Sequence, residues 1–137
     1  MEFEYLEHTA DVKFKAYGKT LEEAFRNALR ASMNVMVDIQ KVEGKIEKNI
    51  SIESRKPESL LYDFIEELLF LFDTEGFIAC DAKDIEITED EKFHIKAVLL
   101  GDPAEDHELH GDVKAVTYND MEIKKDEGYE IQVVLDI

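Results

Sequence analysis

The chain has 137 residues, 45% of them hydrophobic, a length that points to one domain and an apolar content that supports a core without disulfides or metal. Its 33 acids against 16 bases leave a formal net charge of −17, and arginine occurs only at positions 26, 30 and 55. Binding a polyanion requires lysine and arginine to displace its counterions, so a broad nucleic-acid groove is excluded, and work on RNA would have to go through a partner.

Glu2 and Glu4 break the pattern of a secretory leader, and a lone Cys80 cannot form an internal disulfide, so a reducing, cytoplasmic setting is expected. Surface acidity also has ordinary causes, namely solubility or a salt-rich or hot cytoplasm. Phe3 to Leu6 reads as a short strand or arm. In Asp11 to Tyr17, Val12, Phe14 and Ala16 alternate with Asp11, Lys13 and Lys15, the period of a half-buried strand. Gly18 ends that strand with turn geometry. Thr20 and Glu23 form a capping box, and Glu22 and Glu23 suit the positive end of a helix dipole. From Thr20 to about Asp38, Leu21, Ala24, Phe25, Ala28, Leu29, Ser32, Met33 and Met36 recur at helical spacing, with the two methionines as core filler.

Ile46, Ile50 and Ile52 share a parity across Lys45 to Glu53, which predicts another strand. Pro57 opens a second helix whose apolar residues, Leu60 to Phe72, run almost all round its far end. Such an end is deeply buried or covered by a partner. The run includes Asp63, Glu66 and Glu67 and falls short of the about 20 apolar residues of a membrane span. Gly76 suits the helix stop. Beyond it lie a strand in two parts, Phe77 to Cys80 and Ile85 to Thr88, with a bulge between, and strands over Lys92 to Leu100, Val113 to Lys124 and Tyr129 to Ile137. Asp126-Glu127-Gly128 turns a hairpin between the last two. Two helices among about six strands, without βαβ alternation, predict an α+β fold: a mixed, mostly antiparallel sheet with both helices packed on one face, in a single domain over residues 1–137.

The chain carries no phosphate loop, nucleophile elbow or zinc-spaced cysteine pair. His107 and His110, among Asp102, Glu105, Asp106 and Glu108, have a spacing open to metal, but a solvated acidic loop is the simpler reading. Asp11 and Asp136 are more informative. Both sit on the polar parity of their strands, and Asp136 is followed by Ile137 with its carboxyl group. Were the first and last strands neighbours, these groups would converge, and a hard cation such as Ca²⁺, which takes six to eight oxygens, would neutralise them. The alternative is a solvated acid at a strand end.

His8-Thr9-Ala10-Asp11-Val12, the Gly18 to Phe25 segment, Gly101-Asp102-Pro103, Val113 to Tyr118 and Leu135-Asp136-Ile137 together resemble the archease family, in its archaeal form, along the whole chain. The resemblance implies an accessory protein, not an enzyme. Such a protein activates an RtcB-class tRNA-splicing RNA ligase by promoting guanylylation of its active-site histidine, permitting multiple turnover and broadening nucleotide use. It also implies a divalent-cation site, described with calcium, at Asp11, Asp136 and Ile137, the last through its terminal carboxylate or backbone oxygen. Supporting or partner-contact positions are His8, Thr9, Lys114, Thr117 and Tyr118. Many members have a histidine where this chain has Asn119, and a loop histidine matches His107; neither position is given a role. RNA is reached only through the ligase, and no membrane is involved. Two other readings remain: a stand-alone metal-dependent hydrolase using the same carboxylates, and a chaperone-like adaptor working through Phe70 to Phe72.

Overall fold

The computed structural model describes residues 1–7 and 11–137. Seven strands and two helices follow one another as β1 (Phe3–Leu6), β2 (Asp11–Gly18), α1 (Leu21–Met33), β3 (Ile46–Ser54), α2 (Pro57–Glu75), β4 (Phe77–Glu89), β5 (Phe93–Pro103), β6 (Ala115–Lys125) and β7 (Tyr129–Asp136). The α+β class holds, with one difference in layout. The strands divide into two sheets, ordered β1-β2-β7-β6 and β3-β5-β4, and every strand pair is antiparallel. Alternation shows which face of a strand is apolar but not which other strand it joins, so the division was hidden in the sequence.

Each helix touches both sheets. α1 lies against β2 and β7 on one side and β4 on the other, and α2 against β6 on one side and β3, β4 and β5 on the other. The layout explains why α2 is apolar over so wide an arc: Leu60, Leu61, Phe64, Ile65, Leu68, Leu69 and Leu71 are all buried, covered from two directions by the chain itself. Phe70 is the exception and is 55% exposed. On α1, Ala24, Ala28 and Ala31 are fully buried, and their small side chains let the helix come close to its neighbours. Phe25 and Phe64 join the two helices, their ring centroids 5.6 Å apart.

The ends of the helices follow their sequence signals. The Thr20 hydroxyl accepts from the Glu23 amide at 3.1 Å. Pro57 takes the first position of α2, and Gly76 ends it in the left-handed conformation at φ 62°. α1 stops at Met33, short of Asp38, but Met33 and Met36 are buried as expected. Gly18 serves a different purpose from the one its turn suggests. A Cβ there would lie 2.3 Å from the Ala24 amide nitrogen, so the residue is glycine because the start of α1 crosses the strand end. β4 is one strand with two register shifts, after Ala79 and after Lys83, which accounts for its broken apolar pattern.

Candidate functional site

The buried set Phe14 and Ala16 on β2, and Ile131, Val133 and Leu135 on β7, fixes the inner face of the first sheet. The opposite parity is therefore outward: Asp11, Lys13, Lys15 and Tyr17 on β2, and Glu130, Gln132, Val134 and Asp136 on β7. β2 and β7 are adjacent and antiparallel, and Asp11 is the register partner of Asp136. The two ends of the sequence thus bring two acids directly opposite each other. Opposed residues in such a ladder have Cβ atoms roughly 4.5–5.5 Å apart, and like charges in that relation destabilise the pair. Ile137 follows at once, 42% exposed. The Lys114 amide donates to the Asp136 carbonyl at 2.8 Å, and Ala115 is the other register partner of Asp136. The end of β7 is held between two strands.

The donor set suits a hard cation: two carboxylates and the main-chain oxygen of Ile137, all oxygen. Among the described residues, no group of three or more His, Cys, Asp or Glu side chains is placed to hold a metal ion.

β6 supplies the other distinctive feature beside this pair. Thr117 pairs with Val134 and Glu122 with Gln132, so Tyr118, Asn119, Asp120 and Met121 all stand opposite the single residue Val133. This is a wide bulge in an edge strand, with Asp120 at φ 51°. The Asp120 carbonyl accepts from Gln132 Nε2 at 2.9 Å, and its carboxylate lies 3.4 Å from Lys13 Nζ. Both partners are on the outward face, so the bulge folds back over β7. Val134 lies on that face between them, yet is only 1% exposed. At the start of the bulge, Tyr118 leaves the sheet and stacks on Tyr62 of α2, the rings 4.2 Å apart and 10° from parallel.

The remaining sequence expectations fall as follows. Thr117 donates its hydroxyl to the Val134 carbonyl at 2.8 Å, a bond within the sheet. Lys114 is exposed next to Asp136, and Tyr118 is 55% exposed. His8 and Thr9 lie outside the described residues.

In the loop around His107, Glu105, Asp106, Glu108 and His110 are exposed, as expected of a solvated acidic loop, but Asp102 and His107 are not part of that exposed set. Asp102 is 1% exposed. Its carboxylate accepts from the amides of Glu43, Gly44 and Lys45 at 2.9–3.0 Å and lies 2.7 Å from His107 Nε2. Burial alone would raise this carboxyl, but the amides of Lys45, Glu43 and Gly44 together with His107 outweigh it and hold it at about 2. Asp102 ties the loop before β3 onto the end of β5, and His107 is engaged with it. In the sequence Asp102 stood out only as one acid near His107 and as part of Gly101-Asp102-Pro103, with no sign of this role beyond the placement of an acid at the end of an apolar strand.

Asp81 is a second structural carboxylate. Arg26 grips it at 2.6 and 2.9 Å and Arg30 lies 3.6 Å away, so two of the three arginines are committed inside the fold. Burial raises the Cys80 thiol to about 11, which leaves it protonated and unreactive. Two open grooves of about 690 and 630 Å³ lie around Gly18, Lys19 and Tyr129. They sit at the far end of β2, about 23 Å from the facing acids at 3.3 Å per residue. Among the described residues, no helix is long and apolar enough to cross a membrane.

Comparison with known proteins agrees with this picture. The profile of the archease protein family matches residues 3–137. Protein archease of Methanosarcina mazei is 45% identical over 139 residues, covering 98% of this chain and 95% of that one. Protein archease of Pyrococcus furiosus is 43% identical over 141 residues, covering 99% of each. The solution structure of Methanobacterium thermoautotrophicum protein 1598 superposes with a TM-score of 0.84 at 39% identity, covering 99% of both chains.

Proposed function

The chain belongs to the archease family, and from that premise we propose that it is an accessory activator of an RtcB-class tRNA-splicing RNA ligase. In this reading it promotes guanylylation of the ligase, supports multiple turnover and broadens nucleotide use. The observation that carries the reading is the register pairing of Asp11 with Asp136. Two acids facing each other are costly for a fold, and a partner-facing cation site is a reason to keep them.

Asp11, Asp136 and the main-chain oxygen of Ile137 would hold the ion, with Ca²⁺ the fitting choice for an all-oxygen set. The charge of such an ion would neutralise the facing carboxylates and supply a Lewis-acid centre for a group of the ligase. The chain's own residues do the rest. A net charge of −17 steers the molecule toward a basic active-site mouth. β2 and β7, both inner strands of their sheet, present the acids side by side at one end of it. Activation then follows if this end binds the nucleotide-competent form of the ligase better than the resting form. RNA is engaged only by the ligase, since Arg26 and Arg30 are spent on Asp81.

The test is multiple-turnover ligation of cleaved RNA with GTP by purified ligase at limiting concentration. The wild-type chain raises turnover, and Asp11→Ala, still folded by circular dichroism, does not. Full stimulation by that variant would remove the acids from the mechanism. RNA or nucleotide hydrolysis by the chain alone would point instead to the hydrolase.

A further inference from the structure

Tyr118 keeps the inner parity of Val116 and, at the start of the bulge in an edge strand, meets α2 with 55% of its surface still in water. Stacking on Tyr62 covers one face of the Tyr118 ring and leaves the other side of the residue to solvent. Phe70, also 55% exposed, lies about 12 Å along the same helix from Tyr62 and roughly 80° round it. Exposed aromatic rings are what interface anchors are made of.

The charge around them decides what they can meet. From Pro57 to Glu75, α2 carries Glu58, Asp63, Glu66, Glu67, Asp73 and Glu75 and no lysine or arginine. Asp63 and Glu66 are close enough to Tyr118 to push its phenol upward, after burial itself, and Glu67 is raised by burial and by its acidic neighbours Glu75 and Glu66. Asp73 stands in the last turn, at the negative end of the helix dipole, where an acid is unfavourable. A nucleic acid would be repelled here, and so would a second copy of a chain with net charge −17. A cationic protein surface is attracted, and arginine, whose flat guanidinium stacks on aromatic rings while donating to carboxylates, matches both parts of the site.

We propose that Tyr118, backed by Tyr62 and flanked by Phe70, is a docking surface for a basic protein segment, with an arginine of the partner laid on the Tyr118 ring between Asp63 and Glu66. Naming the RNA ligase as that partner rests on the function proposed above. Tyr118 lies on the helix side of the sheet and the facing acids on the other face; the chain passes from one to the other at Asp120, two residues on and beside Lys13. The aromatic stack supplies affinity, and the acid pair supplies activation.

The affinity of the full-length chain for the purified ligase, measured by calorimetry at 0.1 M salt, tests this. Tyr118→Ala weakens binding about tenfold or more, whereas Tyr118→Phe, which keeps the ring, binds within about twofold of wild type. Once the ligase concentration is raised to saturate the Tyr118→Ala chain, stimulation of ligation recovers. Equal binding by Tyr118→Ala and wild type overturns the docking surface. A wild-type chain that does not bind the ligase at all overturns the proposed function instead. A deca-arginine peptide titrated against both chains then decides the surface: binding that Tyr118→Ala weakens supports it, and binding indifferent to that change overturns it.

Discussion

Asp136→Asn isolates the tension between the facing acids. Asp136 is exposed at the end of β7 and its amide isostere keeps the strand register, so the change removes one charge and little else. Like charges directly opposed in a ladder cost about 0.2–1 kcal/mol, and the low end applies as salt rises, because the Debye length shrinks to about 10 Å at 0.1 M. At roughly 3–5 °C per kcal/mol for a chain of this length, Asp136→Asn melts about 1–5 °C higher than wild type in low salt with a chelator present. With Ca²⁺ at 100 times its dissociation constant the order reverses. The wild type gains about 2.7 kcal/mol, or about 10 °C, from binding to the folded state alone, and the variant gains less than a third of that. Differential scanning calorimetry with EDTA and then with Ca²⁺ reads both effects on the same samples. A wild-type melting temperature indifferent to millimolar Ca²⁺, or a variant that gains as much as wild type, would refute the reasoning.

Other substitutions test the frame that presents these acids. Asp102→Asn sets an amide donor among three backbone N–H groups and His107, and is expected to cost about 2–4 kcal/mol in urea unfolding with an unchanged slope. Because the folded Asp102 carboxyl is held at about 2, below its ordinary 3.8, its contribution is complete above pH 4 and disappears as pH falls through 2. The wild type should therefore lose more stability between pH 4 and pH 2 than the Asn variant does. Gly18→Ala drives a Cβ to within 2.3 Å of the Ala24 nitrogen and should cost about 1–3 kcal/mol, read as a lower urea midpoint.

Local signals carried much of this structure. Thr20, Pro57 and Gly76 mark helix ends because their chemistry acts within one turn, and the alternation of β2 and β7 is a property of each strand alone. Their parity also placed Asp11 and Asp136 on one face once the strands were neighbours. The points that escaped depend on distant partners. The purpose of Gly18 comes from a helix crossing it, not from its own turn. Asp102 looks like any surface acid until Glu43, Gly44 and Lys45 are folded onto it. The bulge in β6 was invisible because Tyr118 to Met121 contains no glycine or proline, and only pairing with β7 shows how many residues face Val133. His8 and Thr9, beside Asp11, fall outside the described residues.

The bulge has a further consequence for how the molecule behaves in a crowd. β6 forms one border of its sheet, and an unbroken border strand is a template on which a stray chain can extend the ladder. Looping out at Tyr118 and twisting through left-handed Asp120 interrupts that row of amides and carbonyls midway. The opposite border, β1, is only four residues long. A sheet blunted on both sides can keep its acid end bare to the surroundings without recruiting aggregates along its flanks.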